Sequence, residues 1–189
     1  MGDKLLPASK HNPKGHYENA EFVQINQEIL RSVNSLWNKP PSREKIASTK
    51  FPAARIRTFL QQHVKPVWGL KDPRTLLTFE IWKPFFEEVA DITYVFVHRP
   101  FEASVRSLAH RDRNNIGTAA QILTPYLKNL YHYRHTFNLP SEKIIDVDYQ
   151  EILHNPEPLI RRLNEINGNP PNHRLSEAQE FLDKSLKKF

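Results

Sequence analysis

The stretch VFVHRPFEASVRSL, residues 95–108, ends an apolar run in an arginine and places a serine eight residues beyond it. Arg99 at the carboxyl end of a strand can fork two N–H donors onto a phosphate. Ser107, on a following helix, can add a hydroxyl donor. With that helix starting near Phe101, Ser104 and Ser107 are three apart and share a face. The same residues also suit a structural role, with Arg99 paired to Asp72 or Asp148 and Ser107 a small packing residue. Two further polar clusters follow apolar runs, Lys71-Asp72-Pro73-Arg74 and Asp148-Tyr149. Arg74 can close on the same anion as Lys71, or pair with Glu80 or Asp91.

Periodicity predicts the elements that must hold these groups. Residues 1–19, with Pro, Asn, Lys and His and little pattern, read as an extended loop. Phe22, Ile25, Ile29, Leu30 and Val33 have helical spacing. That helix should end near Trp37, ahead of Pro40 and Pro41. Ser42 is a candidate cap for a partly helical stretch that Pro52 interrupts. Residues 67–70 read as a buried strand with Lys71 at its exit, and 75–82 as a helix packed on the sheet. ITYVFVHR, residues 92–99, is the clearest strand, nearly continuous in apolar character as if covered on both faces. Helices follow over 101–111 and 118–137, then a strand over 142–149 and helices in PEPLIRRLNEIN and SEAQEFLDKSLKKF. Strands alternating with helices imply a parallel sheet with helices on both faces. Ligands then bind outside the carboxyl ends of the strands.

The 189 residues suit one domain, spanning 1–189, with a real core. With 39% apolar and 25% charged residues the chain is globular, not disordered. The lack of cysteine excludes a disulfide framework and a thiolate metal site. His132 and His135 are three apart, but no third ligand is visible, so no metal is expected. No run approaches the roughly 18 apolar residues that cross a bilayer, and the N-terminus has no signal-peptide core; we expect a cytoplasmic protein. The net charge of +6 fits either a solvated basic surface or an anionic ligand. The lack of a Lys/Arg block argues against dedicated nucleic-acid binding. Trp37, Trp68 and Trp82 either pack or stack on a base. The cluster Tyr131, His132, Tyr133, Arg134 and His135 suits either contact with an acceptor or a helix with one wet face, and the second reading is preferred.

Arg99 and Ser107, on strand then helix, resemble the 3′-phosphate-binding motif of sulfotransferases that use 3′-phosphoadenosine 5′-phosphosulfate (PAPS). NPKGHYENAEFVQINQEIL, WGLKDPRT, IIDVDYQEILHNPEPLIRRL and EAQEFLDKSLKK resemble, in that order, segments of the bacterial-type branch. The resemblance covers nearly the whole chain. It implies an α/β fold of the P-loop-NTPase-like kind, a three-layer sandwich with a short parallel sheet flanked by helices. It also implies PAPS as co-substrate and no metal. Arg99 and Ser107 would bind the 3′-phosphate, and Lys71 would stabilise charge on the transferring sulfuryl group. Glu18 would take a proton from a hydroxyl or amine acceptor. His16 competes for that role, because its ordinary pKa lies near neutrality. Positioning and electrostatics should dominate such a transfer.

One departure is clear. Family members begin with a strand and a Ser-Gly-Thr loop whose backbone N–H groups cradle the 5′-phosphosulfate. None of the glycines, at 2, 15, 69, 117 and 168, opens such a loop; Gly117-Thr118 reads as a turn into a helix. The sheet is therefore expected without its first strand, in an N-terminally truncated family member that is inactive or weak by itself. Its unpaired strand edges predict a marginally stable chain prone to homo-oligomerise. Carbohydrate, peptide and small-molecule acceptors all fit. The alternative is a non-catalytic anion- or nucleotide-binding or interaction protein derived from the same fold.

Overall fold

The computed structural model describes residues 2, 4–10 and 12–182. In chain order its elements are helices α1 (Ala20–Ser32), α2 (Arg43–Ala47), α3 (Ala53–His63) and α4 (Thr75–Val89), strand β1 (Tyr94–His98), and helices α5 (Phe101–Asp112) and α6 (Ile116–His135). Strand β2 (Ile144–Asp148) and helices α7 (Tyr149–His154), α8 (Glu157–Ile166) and α9 (Leu175–Phe181) complete it. The fold is mixed α/β, with a two-stranded parallel sheet among the described residues. Two compact units divide the chain: one extends to Ile92 and includes Ala120–Phe137, and the other comprises Thr93–Ala119 and the chain from Asn138 onward.

The first unit is helical. Asn19 caps α1, its side chain accepting the Phe22 N–H at 3.0 Å. The apolar face of α1 buries Phe22, Ile25, Ile29 and Leu30, alongside Ile56, Phe59 and Leu60 of α3 and Leu77 and Trp82 of α4. The Phe22 ring lies 4.8 Å from Trp82 and 5.8 Å from Phe59, and Trp82 stacks on Phe86 at 5.2 Å. The helix ends at Ser32, short of the expected Trp37. Asn34 is left-handed at φ 54, the Ser35 N–H reaches back to the Leu30 carbonyl, and the Asn34 N–H to that of Arg31. This is a Schellman ending with Asn in the place glycine usually holds. Ser42 does cap α2, accepting the Lys45 N–H at 3.3 Å, and Pro84 is absorbed within α4. The Tyr126 hydroxyl donates to the Trp37 carbonyl and the Asn129 amide to the Leu76 carbonyl, both at 2.8 Å. In α6 Tyr133 is buried while Tyr131 is exposed, the one wet face that the sequence suggested.

The strand expected at 67–70 is not formed. Residues 64–72 run without helix or strand, and Val67 is exposed. Pro66 lacks an N–H to give a ladder, and Gly69 has no side chain to bury; Trp68 packs edge-on against Phe86. Lys71 therefore leaves an irregular segment, not a sheet.

In the second unit β1 and β2 pair in register from Tyr94↔Ile144 to His98↔Asp148. Phe96 and Val147 face inward, whereas Val95 and Val97 are exposed. The apolar run at 92–99 is thus covered on one face, not both, and its pairing is confined to Tyr94–His98. Pro100 leads directly into α5, which buries Val105, Leu108 and Ala109 and closes on left-handed Arg113 at φ 54. In α8 the Asn164 amide donates to the carbonyls of Pro171 and His173, both at 2.9 Å, which fixes the turn before α9. The continuation expected of the last helix beyond Leu182 lies outside the described residues.

Candidate functional site

The sequence-predicted groups fall into two sets, one in each unit. In the first unit, residues 4–10 fold back along 12–19: the Leu6 N–H donates to the Glu18 carbonyl at 2.8 Å and the Ala20 N–H to that of Lys4 at 2.9 Å. The turn uses left-handed backbone at Gly15 (φ 93) and Tyr17 (φ 52), uncommon for a residue with a bulky ring. Flanking Tyr17, the His16 carbonyl and the Glu18 carboxylate converge on one ammonium. Lys71 Nζ donates to the His16 carbonyl at 2.6 Å and to Glu18 Oε1 at 2.9 Å.

Glu18 is buried, and its second oxygen faces another cation, with Arg74 Nη1 3.6 Å from Oε2. Arg74 is fixed by Asp72: both its Nη1 and its backbone N–H donate to Oδ1, at 2.7 and 2.9 Å. The other Asp72 oxygen accepts from Asn26 Nδ2 at 2.9 Å. Asn26 Oδ1 in turn accepts from the Thr78 hydroxyl at 2.7 Å and the Trp82 indole N–H at 2.8 Å. Burial pushes the Asp72 carboxyl above the usual carboxylate range, while Arg74 and the Asn26 amide pull it down. A buried polar network is stable when its members are satisfied, and this one ties α1 to α4 through the segment that carries Lys71.

The structure thus brings Lys71 and Glu18 together. His16 joins them through its carbonyl alone; its ring Nε2 lies 3.3 Å from Ser9 Oγ. Arg74 pairs with Asp72 and not with Glu80, which Arg43 holds at 3.0 Å. Trp82 is fully buried with its N–H engaged, so base stacking is closed to it. The sequence reading missed Asn26, and it named Asp72 as a partner for Arg99 without foreseeing its bonds to Arg74 and Asn26. Asn26 carried a signal, since an amide four residues from Phe22 on the apolar face of α1 needs a buried partner.

In the second unit Arg99 directly follows β1, and its guanidinium lies over the ring of Tyr149 at 5.0 Å, a cation–π geometry. Tyr149 opens α7 just beyond β2. Asp148, one anticipated partner of Arg99, is spent on a cap: it accepts the backbone N–H groups of Gln150 and Glu151 at 2.7 and 3.1 Å. His98 Nε2 lies 2.8 Å from Asp146 Oδ1. Ser107 is part-exposed on α5, the helix that leaves β1 through Pro100. A guanidinium at a strand end and a hydroxyl on the next helix are suited to an oxyanion, while a buried carboxylate beside a half-exposed ammonium is suited to moving a proton next to negative charge. Comparison with protein-family models, curated proteins and solved structures gives no match to this chain.

Proposed function

We propose that this chain is a sulfotransferase-family protein that transfers a sulfuryl group from PAPS to a hydroxyl or amine acceptor, on a P-loop-NTPase-like three-layer fold. The observation that carries this reading is the contact of Lys71 Nζ with Glu18 Oε1 at 2.9 Å, between residues 53 apart in the chain. These are the two side chains to which the sequence resemblance gives the transfer step. Glu18 takes the proton that the acceptor loses as its oxygen or nitrogen bonds to sulfur, while the bond from sulfur to the 5′-phosphate oxygen of the donor breaks and 3′-phosphoadenosine 5′-phosphate leaves. Lys71 stabilises the negative charge that builds on the group in transit. Arg99 and Ser107 hold the 3′-phosphate, with the guanidinium over the ring of Tyr149. When bound, PAPS supplies the activated sulfuryl group. The donor chemistry of these residues suits it, since guanidinium, hydroxyl and ammonium all favour oxyanions. The 189 residues contain no Ser-Gly-Thr loop for the 5′-phosphosulfate, so turnover by this chain alone is weak.

The test is calorimetric titration with 3′-phosphoadenosine 5′-phosphate (PAP). We expect saturable binding that Arg99→Ala abolishes and Ser107→Ala weakens. Undiminished binding by folded Arg99→Ala sinks the assignment, and leaves a general anion-binding or interaction protein as the better description.

A further inference from the structure

Glu18 carries one cation on each oxygen, and the two differ in freedom. Lys71 is 52% exposed and sits on a flexible stem. The Arg74 side chain is 19% exposed and is held through two donors by Asp72, whose own side chain is 0% exposed. Behind Asp72 stand Asn26, Thr78 and Trp82, hydrogen-bonded in series. An oxyanion arriving at Lys71 competes with Glu18 Oε1 for the ammonium. If Lys71 were the sole countercharge, its departure would strand a buried carboxylate, which must then take up a proton or disrupt its surroundings. Arg74, 3.6 Å from Oε2, stays behind.

We propose that Arg74 is a positioning residue: it keeps Glu18 ionised and in place while an incoming tetrahedral oxyanion draws Lys71 away from Oε1. The inference rests on the reading of Lys71 and Glu18 as the transfer pair. The exchange uncovers Oε1 as a proton acceptor only when an anion occupies Lys71, so proton abstraction is tied to the presence of the group to be transferred. Among the described residues, the charged groups paired with Glu18 are Lys71, Arg74 and, behind Arg74, Asp72; the His16 imidazole is turned toward Ser9.

Sodium sulfate titrated into the whole chain near neutral pH, in buffers of differing ionisation enthalpy, tests this. The wild type should bind sulfate with a heat that does not depend on the buffer. Arg74→Gln should take up about one proton per sulfate, seen as a buffer-dependent heat, and Arg74→Lys should return to wild-type behaviour. Lys71→Met should lose at least tenfold in sulfate affinity. A merely structural Arg74 would change stability without changing proton uptake. Buffer-independent heats in folded Arg74→Gln, sulfate binding by Lys71→Met equal to wild type, or no sulfate binding by the wild type would each overturn the proposal. If Arg74→Gln does not fold, the ¹⁵N shift of Lys71 Nζ decides: it must move when sulfate is added to the wild type, and an unmoved resonance rejects the exchange. Sulfate behaviour as expected together with failure of PAP to bind rejects the sulfotransferase reading and leaves the assignment of Arg74 standing.

Discussion

The Glu18 network and Tyr133 show two fates of a buried polar group. Asp72 and Asn26 are enclosed yet fully engaged, with partners on both oxygens of the carboxylate and on both ends of the amide. Tyr133 is equally enclosed, but its hydroxyl has no hydrogen-bond partner among the described residues. Burial raises its pKa, with Glu80 adding to the rise and Arg43 opposing it. The ring itself is well used, edge-on to Phe79 at 4.9 Å and to Phe137 at 5.3 Å. An unsatisfied buried hydroxyl costs about 1–3 kcal/mol, and phenylalanine keeps the ring without the oxygen. Tyr133→Phe should therefore leave stability unchanged or raise it by about 1 kcal/mol, as read by urea unfolding. A loss of that size instead would mean that the hydroxyl is bonded in solution.

Between elements, α1 and α3 are joined by a polar clamp as well as by the apolar core. Glu21 of α1 accepts from Arg55 Nη1 at 2.6 Å and lies 3.0 Å from His63 Nε2, both on α3. The hydrogen bond from Arg55 is the main reason that its carboxyl sits below the ordinary value of 4.5; burial opposes and His63 assists. A folded-state pKa below the unfolded one contributes stability above the ordinary value, and that stability is lost as pH falls through the folded pKa. Asp72 has the opposite sign, since its raised pKa makes the folded state less favourable as pH climbs above 3.8. The clamp is part-exposed, so its contribution is screened. Glu21→Gln should lower the urea midpoint at about pH 6 and flatten its decline between about pH 5 and pH 3. An acid limb as steep as that of the wild type would place the titrating group elsewhere.

At this same scale, legibility followed the source of the order. The helices α1, α5 and α6 were plain in the sequence because a 3.6-residue apolar period states both the element and its inward face. The cap at Ser42 was local chemistry and equally legible. The run at 67–70 misled because a few apolar residues look alike whether or not a partner strand exists, and pairing is not a local property. Glu18 was reached only through resemblance. Its burial depends on the left-handed turn at Tyr17 and on Lys71 arriving from 53 residues away, neither of which leaves a periodic trace. The roles of Asn26 and Asp72 were hidden for the same reason, although the position of Asn26 hinted at one.

Across the whole molecule, the chemistry is divided by the chain's own organisation. The unit that reaches Ile92 carries Glu18, Lys71 and Arg74, while the unit with β1 and β2 carries Arg99 and Ser107. Each set stands on its own structural reasons: a buried hydrogen-bonded network in one, a strand end followed by a helix in the other. The net charge of +6 favours encounter with anions but does not choose among them. A preference for the ribose-linked 3′-phosphate does choose. The most direct measurement of the central claim is therefore a paired titration of the wild-type chain with PAP and with 5′-AMP. The account predicts that PAP binds at least tenfold more tightly, about 1.4 kcal/mol. Equal affinities, or tighter binding of 5′-AMP, would contradict it.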